Sequence, residues 1–160
     1  MTWKFLLPLV PLITSRAARW VTAQEAAILA GGEILTAQEL ADARRAGVQR
    51  PERIRLQFVE SIPMPETGVL RGLGRLTGLV SAGTAGITLR YGIYIQRQFR
   101  GNRELYLHEF VHVGQYERLG SIEAFLRDYL RECLDPGYPR GPLEQEAIAR
   151  AHEVVLGSRD

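Results

Sequence analysis

The feature that most limits what this chain can fold into is the run His108-Glu-Phe-Val-His112, set within an apolar stretch from Leu105 to Leu119. Four residues along an α-helix make just over one turn, so both imidazoles leave the same face, one above the other. Leu105, Leu107, Phe110, Val111 and Val113 surround them, and a helix apolar nearly all round belongs in the interior. Imidazoles and a carboxylate in such a place need hydrogen-bond partners or a metal ion to offset their lost hydration. Two of the chain's three histidines lie in this run, at a spacing that lets both reach one ion. Two core histidines satisfied by backbone partners are the plainer alternative.

A tetrahedral site with one open position needs a third protein ligand. The candidates downstream are Glu117, Glu123, Asp128, Glu132, Asp135, Glu144, Glu146, His152 and Glu153. Pro142 suits the first turn of a final helix reaching about Leu156, and helical phase separates the acids on it. At about 100° per residue, Glu144 lines up with Ala147, Ile148, Ala151 and Val155, whereas Glu146 falls opposite with Arg150 and Glu153. Glu144 is the preferred ligand. His152, about 80° off the apolar stripe, comes second and would give a three-histidine site, and Glu146 reads as solvated. Glu109 diverges from its neighbour His108 by about 100°, so it is expected beside the ion as a general base. Gln115, one turn past His112, can bond a metal-bound water or a ligand, or else the helix-loop junction. Tyr138, in the loop before the last helix, can stabilise an oxyanion or simply pack.

A length of 160 residues allows one substantial core, so a single domain over residues 1–160 is expected. The net charge of +2 is small and the basic residues are scattered, so no nucleic acid is expected as a partner. Cys133 is the sole cysteine, which excludes an intramolecular disulfide and fits a cytoplasmic setting. Residues 1–21 form an apolar N-terminal segment in which Phe5 to Ile13, interrupted by Pro8 and Pro11, is too short to span a bilayer. Docking on the body of the domain, weak membrane association and removal as a signal peptide all stay open for it.

Thr22-Ala-Gln-Glu25 and Thr36-Ala-Gln-Glu39 have the capping-box pattern, so each is expected to begin a helix, the first ending at Gly31-Gly32 and the second at Gly47. Ile54, Leu56 and Phe58 alternate with Arg55 and Gln57 as a half-buried strand does. Gly68 to Gly86 reads as a glycine-rich loop or flap. The alternation from Ile87 to Ile95 predicts a second strand, bent at Gly92. Leu105 to Leu119 and Ile122 to Leu134 are expected helices, and the loop Asp135 to Pro142 precedes the last one. Tyr116, Glu117 and Arg118 are expected on a solvated surface.

His108-Glu-x-x-His112 followed by Glu144-x-x-Ala147 resembles the gluzincin class of zinc metallopeptidases, and the wider stretches around both motifs are similar to small bacterial zincin-like proteins. The resemblance covers about the last third of the chain. It departs from some gluzincins at Ile148, where they carry an aspartate that orients a ligand histidine. It implies an α+β, minimal zincin-like domain, with a small β-sheet packed on the motif helix and a C-terminal glutamate-bearing helix. It further implies Zn2+ on His108, His112 and Glu144, water activated by Glu109, and a peptide or protein substrate lying along the edge of the Ile87 to Ile95 strand. The reading from another class is a non-catalytic, zinc-stabilised binding or scaffold protein, with membrane association through Phe5 to Ile13 left open.

Overall fold

Strict alternation of apolar residues in two short runs sets the centre of the structure. The computed structural model describes residues 4–65, 68 and 84–157. Its strands β1 (Glu33–Ile34), β2 (Arg55–Val59), β3 (Gly86–Leu89) and β4 (Gly92–Gln96) form a mixed sheet in the order β1-β2-β4-β3. β2 and β4 run parallel, whereas β1 on β2 and β3 on β4 are antiparallel. β4 is buried along its whole length, as a central strand covered on both faces must be.

Five α-helices among the described residues pack around that sheet: α1 (Val10–Gly31), α2 (Ala37–Arg45), α3 (Arg103–Leu119), α4 (Ile122–Glu132) and α5 (Pro142–Leu156), with a kinked turn at Cys133–Gly137 between the last two. Ile93 and Ile95 point to one face and join a core with Leu107, Phe110, Val113, Ala147 and Ala151 of α3 and α5. Tyr94 and Leu89 point to the other, among Val21 and Ile28 of α1 and Phe125 of α4. Gly92 permits this close approach, because a Cβ there would lie 2.9 Å from Ile28 Cδ1.

The α+β class stands, but the arrangement expected around it needs correction. Instead of a minimal zincin-like domain with a small sheet packed on two site helices, a mixed sheet is sandwiched, with α1 and α4 closing its second face. The residues of the candidate site come together in space from α3 and α5, which are distant in sequence.

Three local expectations also change. Thr22-Ala-Gln-Glu25 does not start a helix: it lies inside α1, where Thr22 Oγ1 donates to Ala18 O at 2.8 Å. Burial of Val10, Ile13, Ala18 and Val21 extends the helix upstream and overrides the local capping pattern. Pro11 is tolerated because it occupies the first turn, where its missing N–H would have had no partner. Thr36 and Glu39 do form a reciprocal capping box at the start of α2.

The strand expected from Ile87 to Ile95 is a hairpin. Arg90 takes a left-handed conformation, φ 61°, and Leu89 pairs with Gly92 across the turn. Glu25 of α1 fixes this turn: its carboxylate accepts from Arg90 Nε at 2.8 Å and from the Tyr91 amide at 3.1 Å. The two-residue turn puts Ile87 and Leu89 on the face of Gly92 and Tyr94, opposite Ile93 and Ile95, and the apolar alternation could run on through it because β4 is buried on both faces. Except for residue 68 and its last three residues, the Gly68 to Gly86 loop or flap lies outside the described residues.

Candidate metal centre

Asn102 starts α3 by accepting from the Leu105 amide at 3.1 Å, and Gly120, φ 87°, ends it. Leu107, Phe110 and Val113 are fully buried and lock its rotation, which turns His108 and His112 toward α5. On α5, the small residues Ala147 and Ala151 face α3 and let the two helices lie close. Glu132 accepts from the Leu143 amide at 2.8 Å and satisfies an orphan donor of the first turn of α5, next to Glu144.

The ligating atoms of His108, His112 and Glu144 all lie within 4.8 Å of one another. His108 Nε2 is 3.2 Å from Glu144 Oε1, His112 Nε2 is 3.4 Å from Glu144 Oε2, and the two Nε2 atoms are 3.2 Å apart. His112 and Glu144 are buried, and His108 is partly so. Two imidazole nitrogens and one carboxylate, converging on one point, are the donor set that zinc takes. His152 is exposed and takes no part in the cluster.

Hydrogen bonds behind the ligands orient them. The Gln115 amide nitrogen donates to Leu143 O at 2.8 Å and to Glu146 Oε2 at 2.9 Å, so the Gln115 oxygen faces His112 Nδ1 at 2.8 Å. That oxygen can only accept, so Nδ1 carries the proton and the Nε2 lone pair is left for the ion. Gln115 therefore bonds both a ligand and the helix junction. Glu146 is held in turn by both terminal nitrogens of Arg118, at 3.0 and 2.8 Å. The Tyr129 hydroxyl donates to Glu144 Oε2, the oxygen that faces His112, at 2.8 Å.

The electrostatics follow from these contacts. Where protons take the place of an ion on the two Nε2 atoms, burial alone would raise the Glu144 carboxyl, but hydrogen bonds from His108 and His112 hold it well below the usual carboxylate range. Burial opposes charge on His112, and the bond to Glu144 with the nearby Glu109 charge outweighs it and raises that imidazole. The Tyr138 phenol, which shares a recess with Tyr129, Glu132, Cys133, Gly141 and Glu144, is pushed up to about 12 by burial and then by the Glu144 charge.

Glu146 was expected to be solvated and without need of a partner; instead it links Arg118 to Gln115, and the Arg118 hydrogen bonds keep its carboxyl low. Tyr116 is buried and stacks on Phe125 with centroids 3.7 Å apart, so it is no surface residue. Glu117 accepts from the Gln49 and Arg50 amides and from the Tyr91 hydroxyl. Thr88 and Tyr129 were missed as site neighbours. The inward phase of Tyr129 was visible in the sequence, whereas Thr88 showed only strand alternation.

The chain matches no protein-family profile, no curated protein and no solved structure.

The gluzincin peptidase reading is accordingly corrected. The run on α3 provides two of the three clustered residues, the third comes from α5, and Glu109 lies outside the cluster. The Glu109 carboxylate is buried and meets the Thr88 hydroxyl at 2.6 Å, a contact that joins α3 to β3. The same hydroxyl lies 3.0 Å from the Glu109 carbonyl. What stands is a His-His-Glu cluster able to hold a metal ion.

Proposed function

We propose that this chain is a non-catalytic, zinc-clasped binding or scaffold protein, in which Zn2+ on His108, His112 and Glu144 ties α3 to α5. The observation that carries this reading is the convergence of three ligand atoms within 4.8 Å, with Gln115 bonded to His112 Nδ1 and Tyr129 to Glu144 Oε2. Such an outer layer fixes tautomer and orientation and raises affinity. When bound, the ion neutralises the carboxylate and joins two elements of the core, which adds its binding free energy to folding. One feature favours a structural role: Glu109 is engaged by Thr88. A cytoplasmic setting, where the sole and buried Cys133 stays a thiol, belongs to the same proposal.

Metal analysis of the purified chain tests the reading, with one zinc per chain expected and loss of zinc in His112→Ala. Screening the zinc-loaded protein against peptide and amide libraries tests its non-catalytic part. Turnover abolished by Glu109→Gln at unchanged zinc content would overturn it.

A further inference from the structure

The N-terminal end of α1 presents apolar side chains, Leu9 and Leu12 among them, that are exposed among the described residues. A 3-10 turn at Lys4–Leu9 leads into the helix, and Phe5 is 70%, Leu9 48% and Leu12 59% exposed, with Pro8 and Pro11 exposed between them. The opposite side of the same segment is anchored, because Val10 and Ile13 pack against Leu130 and Leu134. The exposed residues are thus held outward by a docked helix. They are not left out by fraying.

Charge selects the occupant. Within residues 4–24 the charged side chains are Lys4, Arg16 and Arg19, and Glu25 is the first acid of the chain. Lys4 is paired with Asp135 at 3.1 Å, whereas Arg16 and Arg19 are exposed and have no acidic partner among the described residues. At about 100° per residue, Leu9, Leu12, Arg16 and Arg19 share one sector of roughly 80°. At about 1.5 Å per residue, the arginines stand roughly 6 and 10 Å behind Leu12. That spacing suits apolar side chains sunk about 5–10 Å into the headgroup boundary while guanidinium groups meet lipid phosphates. No helix of the described residues is long and apolar enough to cross a membrane.

We infer that this end of α1 docks on an anionic lipid surface, with Leu9 and Leu12 entering the interface and Arg16 and Arg19 on the phosphates. This inference is independent of the metal centre.

Co-sedimentation of the full chain with vesicles tests it, using phosphatidylcholine alone and phosphatidylcholine with 30–40% phosphatidylserine. Binding is expected only to the mixed vesicles and should weaken as salt is raised. Arg16→Gln with Arg19→Gln should reduce partitioning about twenty-five-fold, at about fivefold per arginine. Leu9→Ser with Leu12→Ser should reduce it about tenfold or more. Both pairs are solvent-facing, so the thermal melt should stay near that of the parent, and Leu156→Ser, an exposed leucine elsewhere, should bind as the parent does. Failure of the parent chain to bind the mixed vesicles would overturn the inference, as would equal binding to both kinds. A dimer seen by light scattering without vesicle binding, and dissociated by the leucine pair, would instead assign the patch to self-association and overturn it too.

Discussion

Gln115 accepts from His112 Nδ1 at 2.8 Å, and because its amide nitrogen is already committed to Leu143 and Glu146, that single contact sets the histidine's tautomer. Gln115→Leu should therefore retain the helix but leave the His112 ring unoriented. Zinc affinity is expected to fall by about 10–100-fold, read by competition with a chromophoric chelator. An unchanged affinity would show that Gln115 only closes the helix junction.

The phase of α5 makes a sharper comparison. Glu144→Gln removes a charged ligand, whereas His152→Gln alters an exposed side chain outside the cluster. Zinc retention on dialysis should collapse in the first and be unaffected in the second. Glu146→Gln should lie between them, since it weakens the support of Gln115 without removing a ligand.

Metal removal should be visible in stability. A ligand at about a thousand times its dissociation constant stabilises the native state by about 4 kcal/mol, so chelation should lower Tm by several degrees or more. Re-addition of zinc should restore it. A melt indifferent to chelator and zinc would rule out a clasp between α3 and α5.

Asp42 provides a pH test away from the ligands. Its buried carboxylate accepts from Arg103 Nε at 2.7 Å and from the adjacent terminal nitrogen at 2.8 Å, and also faces Gln38 and Arg45. The Arg103 hydrogen bonds hold the carboxyl below its ordinary value of 3.8 against the opposing effect of burial. A lowered folded-state value means the contribution is complete above about pH 4 and disappears as pH falls through the folded value. Asp42→Asn should cost about 2 kcal/mol at neutral pH by denaturant titration, with the gap to the parent closing under acid conditions.

How much of this could be read beforehand depended on the range of the forces involved. His108, His112 and Glu144 were legible because helical phase is local, and a polar group in an apolar stripe stands out against it. Glu146 was misjudged for a related reason: phase says which way a side chain leaves its own helix and nothing about what a neighbouring helix brings to it. Arg118 and Gln115 reach it from α3. The start of α1 was misplaced because a strong capping pattern at Thr22 was outweighed by burial of Val10 and Ile13 against Leu130 and Leu134, a contact across most of the chain. The hairpin at Arg90 was hidden because both faces of the sheet are covered there, so the apolar alternation continued although the turn moved it from one face to the other.

The carboxylate of Glu25 that closes this hairpin has a consequence for the order of events in folding. A two-residue turn is ordinarily among the earliest structures to form, since its ends are already neighbours. Here the left-handed turn residue is clasped by a group 65 positions away. The pairing of β3 with β4 is thereby coupled to the docking of α1, and what is short-range in sequence takes on the kinetics of a long-range contact. Glu25→Gln should accordingly accelerate unfolding while barely slowing refolding, a displacement of one arm of the chevron that stopped-flow measurements can resolve.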